Sequence, residues 1–291
     1  IGAASNNSSG VAGVNWQAKI QAVRVLGRCG GMPSDIIDAV RWAAGLAVPG
    51  VPANANPARV LNLSLGGGGT CSASWQSAFN DIRAAGAVAV VSAGNSGDNA
   101  DFYTPASCPG VITVAATDRY GWLAWYSNYG STVEISAPGG DTWWESDGVL
   151  STLNSGAKGP GADSLAFYQG TSMAAPHVAG VAALLLGQQP GLTPAQVSDL
   201  LQDSARDFPD SSDCSPSDCG DGMLDAYLAL MALDDVEPTA TPTATATATA
   251  TIGPSPTATA TPTATPTVGP SPTATVAPVD FGLFLPAVLR P

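Results

Sequence analysis

Apolar residues fall in short blocks that alternate with longer, helically spaced stretches. Ile20 to Leu26, Val60 to Leu65, Ala87 to Ala93 and Val111 to Ala116 are β-branched and apolar runs, which predicts strands. Their alternation with helical segments predicts a parallel sheet covered by helices on both faces, an α/β fold. Ser34 is placed to cap a helix running to about Ala44, with Ile36, Val40 and Ala44 on one face and Asp35 at its positive end. Ser72 to Ala85 predicts the next helix, ended by Gly86. A third, about Ser172 to Leu186, is apolar nearly all round and is therefore expected at the centre of the domain. A fourth opens at Thr193-Pro194-Ala195-Gln196, where Thr193 and Gln196 form a capping box and Leu192 can staple onto Val197.

This patterning stops near Glu237. The expected organisation is one ordered domain over 1–235, a linker over 236–278 and a short apolar tag over 279–291. From Pro238 to Pro278 the chain is almost wholly Thr, Ala, Pro, Gly and Ser, which cannot build a core. Phe281 to Leu289 is apolar but too short to span a bilayer, and reads either as a terminal sorting or docking tag or as an end without function. The first residue is Ile, so the amino terminus, with any signal peptide, is expected to lie upstream.

Acidic residues outnumber basic ones 23 to 10, a net charge of −13, which argues against a nucleic-acid partner. Five cysteines without a C-x-x-C pair, and a single histidine, argue against a zinc site and leave disulfides as the natural reading, hence an oxidising compartment. Cys214 and Cys219 can close a short loop, and Cys71 and Cys108, flanking a helix and a strand, are candidates for a second bridge. Cys29 is left over, either paired with an upstream cysteine or a buried free thiol.

The stretch Gly170-Thr171-Ser172-Met173-Ala174-Ala175-Pro176-His177-Val178-Ala179-Gly180 places a serine at the mouth of the buried helix. There its hydroxyl and backbone N–H sit at the positive end of the helix dipole, which favours negative charge developing on a nearby oxygen. Gly170 admits close approach of substrate to the backbone, and Pro176 is expected within about the first turn, where a missing N–H does little harm. As a bare pattern, Ser172 is equally an ordinary N-cap. His177 is not its partner: a helix turns about 100° per residue, so position i+5 points roughly 140° away.

The same stretch closely resembles the nucleophile motif of subtilisin-like serine peptidases. The resemblance implies that Ser172 is the nucleophile and His177 a packed helix residue. Val91-Ser92-Ala93-Gly94-Asn95 resembles the family's oxyanion segment, which implies that Asn95 donates to the tetrahedral intermediate together with the Ser172 amide. Leu61-Asn62-Leu63-Ser64-Leu65-Gly66-Gly67 resembles the segment that pairs with extended substrate, so Ser64, Leu65 and Gly66 are candidate substrate contacts, with Ala93 and Gly94 as the facing wall. Gly10 to Val14 and then Ile20 to Leu26 resemble the segment just after the family's His-Gly-Thr motif, which puts the catalytic histidine within about ten residues upstream of Ile1 and the aspartate further back. Ser5 to Val11 reads as a plain polar turn, but it also resembles a family calcium loop, which would make Asn7 a side-chain ligand and put the carboxylate ligand upstream.

The resemblance covers about Ile1 to Leu233 and implies a subtilisin-like three-layer sandwich lacking its first portion. It further implies a secreted serine endopeptidase that needs no catalytic cofactor, acts on polypeptides, matures from an N-terminal propeptide and works as a monomer. The tail adds an expectation of cell-surface attachment, and residues 1–291 alone are expected to be nearly inactive. The alternative from another class is a surface-displayed, non-catalytic binding module on a decayed peptidase fold.

Overall fold

A computed structural model describes residues 1–157 and 159–236 and the backbone of 287–290. All of the expected 236–278 linker except Val236, and the rest of the expected tag, lie outside the described residues. The main sheet has six strands in the order β1 (Lys19–Ala22), β10 (Ala287–Arg290), β2 (Val60–Leu63), β4 (Val88–Ser92), β6 (Ile112–Thr117) and β7 (Ile135–Pro138). The run from β2 to β7 is parallel, as the alternation predicts. β10, from the segment read as a tag, lies antiparallel between β1 and β2. The remaining strands form two small antiparallel pairs, β3 (Gly67–Gly68) with β5 (Tyr103–Thr104) and β8 (Val149–Asn154) with β9 (Asp163–Tyr168).

Side chains along the sheet alternate between two cores, as the two-residue period of a strand requires. Val60, Val88, Val90, Ile112 and Val114 pack with α3 (Thr171–Gln188) and α4 (Pro194–Asp203). Leu61, Leu63, Ala89 and Val91 pack on the other face with α1 (Pro33–Ala43) and α2 (Ala73–Ala84). α3 is the spine of the first core, with Ala175, Val178, Ala182 and Leu185 fully enclosed, which is why its sequence shows no polar stripe.

Several local signals act as expected. Ser72 accepts from the Trp75 amide at the start of α2, and Thr193 and Gln196 close a reciprocal capping box on α4. Two expectations are corrected. Ser34 does not cap α1: Met32 holds the extended N-cap position, Pro33 supplies the first helical residue, and the Ser34 hydroxyl turns to Asp35. Pro176 is the sixth residue of α3 rather than part of its first turn. Its missing N–H would have bonded the Ser172 carbonyl four residues back, and the Ser64 hydroxyl donates to that carbonyl instead, at 2.8 Å.

Cys71 is bonded to Cys108 and Cys214 to Cys219. Cys29 is free and exposed, which overturns the reading of it as a buried thiol. Among the described residues no helix is long and apolar enough to cross a membrane.

Candidate active site

The parallel strands deliver their carboxyl ends to one edge of the sheet, where the first turn of α3 also begins. Gly170 is the N-cap residue of α3, at a φ of +146° that disfavours residues with a side chain. Its N–H is shared between the Gly139 carbonyl at 3.0 Å and the Tyr126 hydroxyl at 2.9 Å, which fixes the approach to Ser172. Tyr126 in turn donates to the Gly140 carbonyl at 2.7 Å, and burial pushes its phenol pKa upward.

Asn95 follows β4 on an exposed turn. Its Oδ1 accepts from the Thr171 backbone N–H at 2.8 Å and from the Thr171 hydroxyl at 2.9 Å. Both donors meet the same oxygen, so the carboxamide is oriented with Nδ2 on the far side, and Nδ2 has no partner among the described residues. A methyl group on Gly170 would sit 3.6 Å from Met173 Sδ, 3.6 Å from the Ser172 amide nitrogen and 3.7 Å from Asn95 Nδ2, so the two donors and the thioether border one small space. Ser172 itself is half-buried, and its hydroxyl has no hydrogen-bond partner among the described residues.

The turn that carries Asn95 is held from beneath by Asn128. Its Nδ2 donates to the Ala93 carbonyl at 2.9 Å, while its Oδ1 accepts from the Ser96 and Asp98 amides at 2.9 and 3.2 Å. Gly94 passes over this side chain at φ +111°, and a methyl group there would lie 2.3 Å from Asn128 Nδ2.

On the other side, after β2, Ser64 links two neighbours: its hydroxyl accepts from Asn62 Nδ2 at 3.0 Å and donates to the Ser172 carbonyl. Gly66 is exposed, whereas Leu65 is half-buried and packs toward α1 and α2. Ala93 is fully buried, with its N–H donating to Val114 and its carbonyl accepting from Asn128, so it lies under the facing wall and Gly94 forms the surface.

His177 sits one turn along α3 from Met173, with Nδ1 2.8 Å from the Met173 carbonyl, and burial lowers its pKa. It is bonded within its own helix rather than to Ser172. Asn7 is exposed, and its Oδ1 accepts from the Ser9 amide at 3.1 Å, a local turn. The sequence has no Asp or Glu before Asp35, and no group of three or more His, Cys, Asp or Glu gathers among the described residues. The donors that this loop brings do not by themselves fit a calcium ion, which wants six to eight oxygens with carboxylates among them.

Four residues of this constellation escape a reading of the sequence: Thr171, Tyr126, Asn128 and Asn62. Only Thr171 gives a signal there, as the residue between an N-cap glycine and the candidate nucleophile. The others act from loops or strands distant in sequence.

The family model described as "Subtilase family" matches residues 1–229. The chain is 50% identical over 233 residues to an extracellular protease of Xanthomonas campestris, covering 80% of this chain and 38% of that protein. It is 44% identical over 237 residues to an extracellular basic protease of Dichelobacter nodosus, covering 80% of this chain and 38% of that protein. It therefore spans well under half the length of these curated relatives. Among solved structures, a protease of Pseudoalteromonas arctica is 50% identical, with a TM-score of 0.76 over 79% of this chain and 68% of that one. With the family model covering residues 1–229, the chain belongs to the subtilase family.

Proposed function

We propose that this chain carries the nucleophile and the oxyanion site of a secreted serine endopeptidase. The observation that carries the reading is the shared space over Gly170, bordered by the Ser172 amide and by an Asn95 carboxamide whose oxygen is already engaged by Thr171. Two N–H donors that border one small space suit the negative oxygen of a tetrahedral intermediate. The hydroxyl beside them is the group that attacks: Ser172 Oγ adds to the scissile carbonyl, the leaving amine departs with a proton, and water hydrolyses the acyl-enzyme.

The proton must be taken by a base that residues 1–291 do not supply, since the single histidine is tied to Met173. The base and its orienting carboxylate belong, on this reading, to the longer protein. Extended substrate runs along Ser64 and Gly66 on one side and Gly94 on the other, through main-chain hydrogen bonds that ask little of substrate sequence. Secretion is supported by the two disulfides and by the extracellular relatives.

A fluorophosphonate probe applied to the full-length protein tests the proposal. Labelling at Ser172 that vanishes in Ser172→Ala is expected, with turnover falling by about 10⁶-fold, the scale known for the subtilisin triad. No labelling, or labelling that survives the substitution, overturns the reading.

A further inference from the structure

The segments after β6 and β7 flank the nucleophile loop on the side away from Ser64, and each presents indoles to solvent, Trp122 and Trp125 on the first and Trp143 and Trp144 on the second. Trp125 is 63% exposed and Trp143 is 76% exposed, although large aromatic side chains ordinarily bury most of their surface. Their rings meet edge to face, with centroids 6.4 Å apart and planes at 70°. Together they form an angular apolar surface, and they are not loosely held.

Trp125 precedes Tyr126, whose hydroxyl receives the Gly170 N–H and whose carbonyl accepts from the Gly97 amide at 2.9 Å. Trp143 follows Thr142, whose N–H and hydroxyl both donate to Gln169 Oε1 at 2.6 Å. The Trp143 loop is closed from behind by Arg119, paired with Asp147 at 2.6 Å. Both indoles therefore stand next to residues bonded directly to Gln169 and Gly170, the two positions before Thr171 and Ser172. One of them also adjoins the turn that carries Asn95.

We infer that Trp125 and Trp143 form a binding shelf for the part of a polypeptide substrate that leaves with the amine, and that the shelf selects large apolar or aromatic side chains there. The inference rests on the peptidase reading above. The acyl half of the substrate is assigned to Ser64, Gly66 and Gly94, at the ends of β2 and β4. A chain continuing past the Ser172 hydroxyl then crosses Gly170 toward the ends of β6 and β7, where these two rings offer it a prepared apolar contact. Because both loops are anchored, an aromatic side chain docks without ordering them first.

The test uses the full-length protein and internally quenched peptides identical on the acyl side, carrying Phe or Gly at the first two positions after the scissile bond. The expected kcat/KM ratio of Phe over Gly is about tenfold or more, the scale of an aromatic contact plus its burial. Trp125→Ala and Trp143→Ala each lower that ratio, the double variant brings it near unity, and Trp143→Tyr keeps most of it. A ratio near unity in the unsubstituted protein, or one that survives the double substitution, overturns the shelf. So do equal losses on both peptides, which signify a structural role. An acyl-side anilide offered to the unsubstituted protein separates the two levels: its cleavage without a Phe preference removes the shelf alone, and failure to cleave anilide or peptides removes the peptidase reading and the shelf with it.

Discussion

The two ends of the parallel strands are built from similar polar residues put to opposite uses. At the amino end, Arg59, just before β2, gives its donors to the Gly86, Pro190 and Leu192 carbonyls at 2.8, 3.0 and 2.9 Å, joining the sheet to the turn between α3 and α4. Glu134, just before β7, accepts from the Thr113 amide at 2.5 Å. These groups seal the end of the core. At the carboxyl end, Asn95, Thr171, Ser64 and Asn128 are linked just as closely, yet the links leave one carboxamide N–H pair and one hydroxyl uncommitted. The contrast separates polar groups that hold the fold together from polar groups held in place by it. Substitutions at the first end should move stability, and at the second end rate.

The sharpest way to break this contrast is Asn95→Ala in the full-length protein. It removes the uncommitted donor, and kcat should fall by roughly 10²–10³ with KM little changed, a magnitude taken over from subtilisin, the reference case for such a donor. The melting temperature should fall as well, by a few degrees, since the loss of Asn95 unpairs the backbone N–H and the hydroxyl of the buried Thr171. A large loss of stability with kcat intact would place Asn95 with the sealing groups.

Thr171→Val probes the boundary between the two kinds. Thr171 is fully buried, and its hydroxyl donates to Asn95 Oδ1 and accepts from the Gly94 amide at 3.2 Å. Valine keeps the shape and deletes both bonds. Stability should drop by about 1–3 kcal/mol for the unpaired groups, and kcat by about tenfold as the carboxamide loses one of its two anchors. Thermal melts and steady-state kinetics on one preparation read both. Unchanged kcat would mean that the Thr171 backbone N–H alone suffices to orient Asn95.

The parts of this arrangement that could be read from the sequence are those carried by contiguous residues. The blocks at Val60, Val88 and Ile112 show as strands because both faces are buried, and the capping box at Thr193 shows because its partners are three residues apart. Ser172 and Asn95 stand in recognisable local motifs. β7, by contrast, is four residues with one large apolar side chain, and β8 and β9 are largely exposed, so neither gives a burial pattern to detect. The Ser64 bond to the Ser172 carbonyl joins residues 108 positions apart. Its cause, the missing N–H of Pro176, is visible in the sequence, but the residue that fills the gap is fixed only by packing β2 against α3. Asn128 and Tyr126 are likewise ordinary residues until the strand ends bring them together.

The smallest effect lies at the amino end and reads out as pH dependence. Burial pushes the Glu134 carboxyl up to about 8 from its ordinary 4.5, against the opposing pull of the Thr113 N–H and with a further upward contribution from the nearby Asp221 charge. The unfolded chain loses this proton near pH 4.5, whereas the folded chain keeps it to about pH 8. Between those values the native state binds more protons than the unfolded state, so the contribution of Glu134 to stability is whole below pH 4.5 and declines as the pH rises toward 8. Glu134→Gln keeps an acceptor for Thr113 and removes the charge. In a Ser172→Ala background, which prevents self-digestion, the glutamine variant should melt a few degrees above its parent at pH 8 and level with it near pH 4.5. In the active protein, Glu134→Gln should leave kcat/KM unchanged at fixed pH. Parallel melting curves for the two proteins across this range would mean that Glu134 ionises freely in the fold. A change in kcat would mean that the two ends of the sheet are coupled rather than separate.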